Sequence, residues 1–252
     1  IEAVFGDEEA TPKIPYRIAD RTMGKDNPVA EFLVRLLDLA GSRLTVTAVL
    51  EVLTLEPVRA HFQISEDDLP EFEEWIRDAG VRWGEDNHDR QRHGQPDELQ
   101  NTWRFGFDRL LLGAAMPGHG RTSFGDVLPY DEIEGGAAAS LGKMIDACET
   151  LFFSLRTLRT SRSPAAWSEH LKATLEQMLT VDDSKLWQLQ EVRDVLTGLA
   201  EQATDASCTR EIELAGIRAL LSRRLEQSNR ASGFLTGSVT FCALVPMRSI
   251  PF

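Results

Sequence analysis

The sequence predicts a mainly α-helical protein, a helical domain bracketed by two short β-strands. Three observations predict it. Apolar residues recur at helical spacing through most of the 252 residues. Helix-start residues (Asn-Pro, Ser-Pro, Thr and Asp) stand just ahead of those stripes. Only two segments, residues 14–19 and 239–244, read as strands.

The first, Ile14-Pro-Tyr-Arg-Ile-Ala19, alternates apolar and polar side chains. Asn27-Pro28 then opens a helix, with a capping side chain ahead of a proline at the first helical position. Phe32, Leu33, Leu36, Leu37 and Leu39 form its stripe and Gly41 ends it. Thr45 caps a helix carrying Val46, Val49, Leu50 and Leu53. Ser65 with Asp68 forms a variant capping box before Leu69, Phe72, Trp75 and Ile76, which Gly80 closes. Residues 84–100 are polar and rich in turn formers, and are expected to be loop. A helix is expected around 101–115, a loop over 117–130, and a long helix from Ala137 to Thr160. Ser163-Pro164 caps another, with Trp167, Leu171, Leu175 and Leu179 on one face. Asp182 or Asp183 starts a third, reaching about Thr204, and a fourth spans Arg210 to Gln227. Val239-Thr-Phe-Cys-Ala-Leu244 is the second strand. The expected division is 1–26, 27–235 and 236–252, with no internal repeat.

Hydrophobic content of 42% against 27% charged residues fits a globular chain with a core of its own. No stretch approaches the ~20 apolar residues of a membrane span. The first residues carry no secretory signal, so no membrane is expected and a cytoplasmic location is. The chain lacks an initiator Met and closes on an apolar run, so both ends are read as cut points in a longer protein. Cys148, Cys208 and Cys242 form no CxxC pair, which indicates neither zinc nor a disulfide framework. The net charge is −13, and residues 1–100 hold 22 acids against 11 bases. A freely acting DNA binder carries a basic footprint. Strong DNA binding by this chain alone is therefore not expected, although a local basic strip is compatible with the total.

Two strands around a helical insertion resemble the second motor domain of superfamily 1 helicases, a RecA-like (P-loop NTPase-like) sheet, 2A, interrupted by a helical domain, 2B. The closing segment carries the likeness further. In those helicases a strand runs into His-x-x-Lys-Gly-Leu-Glu-Phe. Here Val239-Thr-Phe-Cys-Ala-Leu runs into Val245-Pro-Met-Arg248-Ser249-Ile250-Pro251-Phe252. Val245 stands at the histidine position, Arg248 at the lysine, Ser249 at the glycine and Pro251 at the glutamate. A degenerate motif of this kind resembles RecC, the helicase-like, motor-dead subunit of exodeoxyribonuclease V (RecBCD). Tyr16-Arg-Ile-Ala-Asp-Arg21, Gly80-Val-Arg-Trp-Gly84, Asn101-Thr-Trp-Arg-Phe-Gly106, Leu128-Pro-Tyr-Asp131 and Gly233-Phe-Leu-Thr-Gly237 are similar to RecC in the same order. The resemblance implies a non-catalytic chain that scaffolds RecB-like and RecD-like subunits and guides double- and single-stranded DNA in the full complex. It implies no cofactor in this chain, with Mg2+ and ATP used by the partner subunits. The RecC family also scans one strand for the signal Chi, but no Chi-reading residue is carried onto this sequence. The alternative is a free-standing helical protein–protein adaptor.

Candidate DNA contacts are Arg248 and Ser249 at the motif, with an internal salt bridge as the equal alternative for Arg248. Trp103 and Arg104 could stack on or reach an unpaired base, but aromatic residues at a helix start are more often core. Arg156, Arg159 and Arg162 recur every third residue, as a phosphate strip or as a cationic helix end facing the helix dipole, the latter favoured. Gly136-Ala-Ala-Ala-Ser-Leu-Gly142-Lys143 has five residues between its glycines and Met144 after its lysine, so it reads as helix rather than phosphate loop. His88, His93, Asp86 and Asp89 match no zinc spacing. His61, His119 and His170 stand alone, and Asp182 and Asp183 suit a helix cap.

Overall fold

The computed structural model describes residues 16–18, 27–116, 123–133, 135–228 and 239–241. Among these, ten α-helices and two short strands are found, in the order β1 (Tyr16–Ile18), α1 (Pro28–Ala40), α2 (Val46–Leu53), α3 (Glu56–Phe62), α4 (Asp68–Asp78), α5 (Asn87–Arg92), α6 (Trp103–Ala115), α7 (Ala137–Thr157), α8 (Pro164–Met178), α9 (Leu186–Asp205), α10 (Leu214–Ser228) and β2 (Val239–Phe241). The strands pair in parallel, Tyr16 with Val239, Arg17 with Thr240 and Ile18 with Phe241. They thus share one sheet, as expected. A parallel pair cannot be joined by a tight turn, and here the connection carries every α-helix found among the described residues.

Helix α1 lies at the centre. Eight of its thirteen residues are buried, more than one apolar stripe needs, because α2, α3, α7, α9 and α10 surround it. Its start follows the expected chemistry: the Asn27 carboxamide oxygen accepts from the Val29 and Ala30 N–H groups at 3.0 and 3.1 Å. The Asn27 amide also donates to the Gln188 carbonyl at 3.0 Å, so one side chain caps α1 and ties it to α9.

Several boundaries differ from expectation for identifiable reasons. Ser65 and Asp68 do bond reciprocally, but the helix begins at Asp68 itself. The segment 84–100, expected as loop, holds helix α5, capped by the Asp86 side chain accepting from Asp89 N at 2.7 Å. Helix α3 lies where no separate helix was expected, opened by Pro57 in its first turn. Asp182 and Asp183 lead into one 3-10 turn, Asp183–Lys185, before α9. The last helix starts at Leu214 instead of Arg210. Ile212 exchanges both backbone hydrogen bonds with Arg162, and its carbonyl also accepts from the Trp167 indole at 2.8 Å. Those bonds hold Ile212 in a bridge and delay the helix. The remainder of the strand expected over 14–19 and 239–244 lies outside the described residues.

Helix α6 sits unusually close to its neighbours. A Cβ on Gly113 would stand 1.6 Å from the Tyr130 carbonyl oxygen, and one on Gly106 would stand 2.2 Å from Val81 Cγ2. The two glycines are seven residues apart, so both face the same way. They let the 79–81 and 128–130 segments lie directly on the helix backbone.

Candidate functional site: an arginine-ringed surface

The residues singled out in the sequence do not gather in one place. Trp103 is fully buried. Its indole N–H donates to the Leu44 carbonyl at 2.9 Å, and its ring packs on Phe107 and Phe152. It is therefore a core residue and not a surface on which a base could stack. Burial of an aromatic of that area contributes about 4 kcal/mol. Arg162 turns away from the other arginines, donating to the Thr160 carbonyl at 2.8 Å and lying over the Trp167 ring. Arg248 and Ser249 lie outside the described residues.

Arg156 and Arg159 converge on carboxylates supplied by the segment around α5, whereas Arg104 meets a carboxylate of α7. Asp89 is the centre. Its side chain is 1% exposed, and its Oδ1 accepts from Arg92 at 2.6 Å and Arg159 at 3.0 Å. Its Oδ2 accepts from the Glu85 backbone N–H at 3.2 Å. Glu85, also buried, pairs with Arg156. Burial pushes the Glu85 carboxyl above its ordinary value, Arg156 pulls the other way, and Asp86, Asp89 and Glu149 add to the rise. Arg104 pairs with Glu149 at 2.9 Å. One Arg159 nitrogen, Nη1, is buried without a hydrogen-bond partner. Four guanidiniums thus pair with three carboxylates, Asp89 and Glu85 innermost, and the further acids Asp86 and Asp108 lie close to Glu85 and to Arg104 respectively.

Local chemistry positions these groups. Gly84 holds φ +79, and a Cβ there would stand 2.9 Å from Arg90 Cγ. That conformation admits the buried Arg90, which donates to the Trp83 and Gln100 carbonyls and lies 4.8 Å from the Trp83 ring. The Trp103 and Arg104 N–H groups, free at the start of α6, donate to the Gly84 and Glu85 carbonyls at 3.0 Å each. Helix α6, the α5 segment and the end of α7 are thereby fastened together. Phe153 on α7, 54% exposed, stands beside Arg156 with its ring 5.9 Å from that guanidinium.

Sequence reasoning missed Glu85 and weighed Asp89 only as a metal ligand, because their surroundings look solvated. The available signal was Asp86-Asn-His-Asp89, an N-cap followed by a first-turn acid. Elsewhere, Gly136 to Lys143 forms the start of α7. Asp182 accepts from Ser184 N and Oγ as a cap. His61 meets the Thr180 hydroxyl and His170 the Thr157 hydroxyl, both at 3.1 Å. His88 sits 3.4 Å from the Gln91 side chain, and His93 packs edge-on to Trp83. His119 lies outside the described residues. Among the described residues no group of three or more His, Cys, Asp or Glu could hold a metal, and no helix is long and apolar enough to cross a membrane.

Residues 26–229 match the family model of the RecBCD enzyme subunit RecC fourth domain. The chain belongs to the RecC fourth-domain family. It is similar to proteins named RecBCD enzyme subunit RecC. The relative from Mycolicibacterium smegmatis is 34% identical over 95% of this chain and 22% of its own length. That from Escherichia coli is 34% identical over 100% of this chain and 22% of its own length. That from Mycobacterium tuberculosis is 32% identical over 98% and 22%. The chain therefore spans about a fifth of the length of these RecC relatives, and the arginine-ringed surface lies wholly within the matched RecC domain.

Proposed function

We propose that this RecC domain is a non-catalytic, helicase-like part of a RecC subunit of exodeoxyribonuclease V. In that reading it scaffolds RecB-like and RecD-like motor subunits and guides DNA strands during double-strand-break repair by homologous recombination. The observation that carries the reading is the parallel β1–β2 pair closing around the matched helical domain. A 2B-like insertion in a RecA-like 2A sheet has that arrangement, with 1–26 and 236–252 as the 2A portions. The degenerate motif at Val245–Phe252 supports a fold kept without its motor. A proline at the glutamate position removes a backbone N–H, and Arg248 with Ser249 keeps a charge and a hydroxyl for a DNA phosphate. Nucleotide and Mg2+ belong, in this reading, to the partner subunits. The full-length parent protein, purified alone, is expected to show no DNA-stimulated ATP hydrolysis, and to restore assembly when mixed with its two partners. DNA-stimulated turnover by the lone subunit would overturn the non-catalytic assignment. Failure of the wild-type subunit to assemble would overturn the scaffold.

A further inference from the structure

We propose that the groove between the starts of α1 and α3 and the turn before α9 receives an arginine side chain of a partner protein subunit. The inference rests on the scaffold reading and deepens it by naming the partner's chemistry.

The groove has a volume of about 280 Å³, at the small end for a ligand site and roomy for one long side chain. Pro28, Pro57 and Val181 supply apolar wall, and Glu56, Asp182, Lys185 and Gln188 supply polar groups. Bonds within the chain already fix this frame. The Thr180 N–H donates to the Pro57 carbonyl at 3.0 Å, and the Asn27 amide holds the Gln188 carbonyl at 3.0 Å. Lys185 grips both Glu56 oxygens, at 2.6 and 2.8 Å.

Two acceptors are left over. Gln188 is only 8% exposed, yet its side-chain carboxamide has no hydrogen-bond partner among the described residues. Buried polar side chains are nearly always bonded, and this one lines the groove, so its partner enters there. Asp182 turns one oxygen, Oδ1, to the Ser184 N–H and hydroxyl at 2.9 and 2.6 Å, and its Oδ2 has no partner among the described residues. The Ser184 bonds hold the Asp182 carboxyl below its ordinary value, so it is ionised at neutral pH.

Charge decides the class of occupant. Among the lining residues Lys185 is the only cation, against Glu56 and Asp182, and it is already committed to Glu56. Asp183, next in the chain, and Glu191, which accepts from Asn27 at 3.2 Å, add to the acid. Lys25 and Asp26, just ahead of Asn27, cancel. A DNA phosphate would meet this acid without a cation to neutralise it. A guanidinium fits: it is weakly hydrated, carries five donors in a planar fork, and can serve Asp182 and Gln188 together while its methylene stem lies on the proline walls.

The test employs the full-length parent subunit bearing Asp182→Asn or Gln188→Leu. Asparagine keeps the cap on Ser184 and removes the charge; leucine keeps the volume and removes the carboxamide. Affinity for each partner subunit is measured by titration calorimetry at low and high NaCl, DNA affinity by fluorescence anisotropy, and the melting temperature of the lone subunit by calorimetry. Each variant is expected to lose about 10-fold or more in affinity for the same partner subunit. The Asp182→Asn loss should shrink as salt rises, with DNA affinity and melting temperature unchanged. Unchanged partner affinity in either variant overturns the proposal. So does a loss confined to DNA binding, which assigns the groove to nucleic acid, and so does a lowered melting temperature in both variants, which assigns it to another part of the same polypeptide. If the wild-type subunit itself does not assemble, the scaffold reading fails; if it assembles and the variants bind as it does, this inference alone fails.

Discussion

Asp89 offers the sharpest perturbation. Asp89→Ala removes one carboxylate that three groups share: the Arg159 and Arg92 guanidiniums and the Glu85 backbone N–H. Arg92 is half exposed, so water replaces its pair at a cost under about 1 kcal/mol. The buried Glu85 N–H loses its acceptor, at about 1 kcal/mol or more. Arg159 is the larger loss. Its side chain is 23% exposed and its Nη1 already lacks a partner. Stranding a buried charge costs ~3–5 kcal/mol, and the remaining exposure favours the lower end. The total is about 4 kcal/mol. With a urea m-value of ~3 kcal/mol/M for a chain of this size, the midpoint should fall by somewhat more than ~1 M. Equilibrium urea unfolding followed by tryptophan fluorescence and circular dichroism measures it. The double variant Asp89→Ala/Arg159→Ala should lose clearly less than the two single losses together, because the second change removes the stranded charge. A loss below about 1.5 kcal/mol for Asp89→Ala, or full additivity in the pair, would refute the account of this network.

Three further outcomes follow from the packing and the buried acid. Gly113→Ala should destabilise by about 3 kcal/mol, or ~6–12 °C in thermal unfolding, because its methyl group meets the Tyr130 carbonyl. Gly142→Ala, with open space at its Cβ inside α7, should stabilise by about 0.5–1 kcal/mol. Glu85 titrates above its ordinary value of 4.5 because it is buried, so the folded state binds more protons than the unfolded state from about that pH upward. Stability contributed by this group therefore falls as pH rises through that window. Glu85→Gln should flatten the decline in melting temperature there, and parallel profiles for the two proteins would contradict it.

Much of the helical frame was legible because capping and period are local. Asn27, Thr45 and Ser163 each accept the backbone bond their positions imply. The unexpected parts are those decided across long separations. Helix α5 is anchored by Arg156 and Arg159, which lie about 70 residues away. The late start of α10 is set by backbone bonds from Ile212 to Arg162. The arginine triplet was visible as a spacing, but its division was not. Two of the three meet buried acids, while Arg162 covers Trp167. No local pattern distinguishes a carboxylate in a polar stretch that will be solvated from one that three cationic or N–H donors will enclose.

The parallel ladder has a consequence for the order of events in folding. About 220 residues separate Ile18 from Val239. Bringing the ends of an open chain that long together costs about 5 kcal/mol, against hydrogen bonds that each return ~1 kcal/mol. Three residue pairs cannot recover that from a random coil. The ladder should zip only after the helices have condensed and shortened the effective span, which makes it the last register to lock and the first to fray under denaturant.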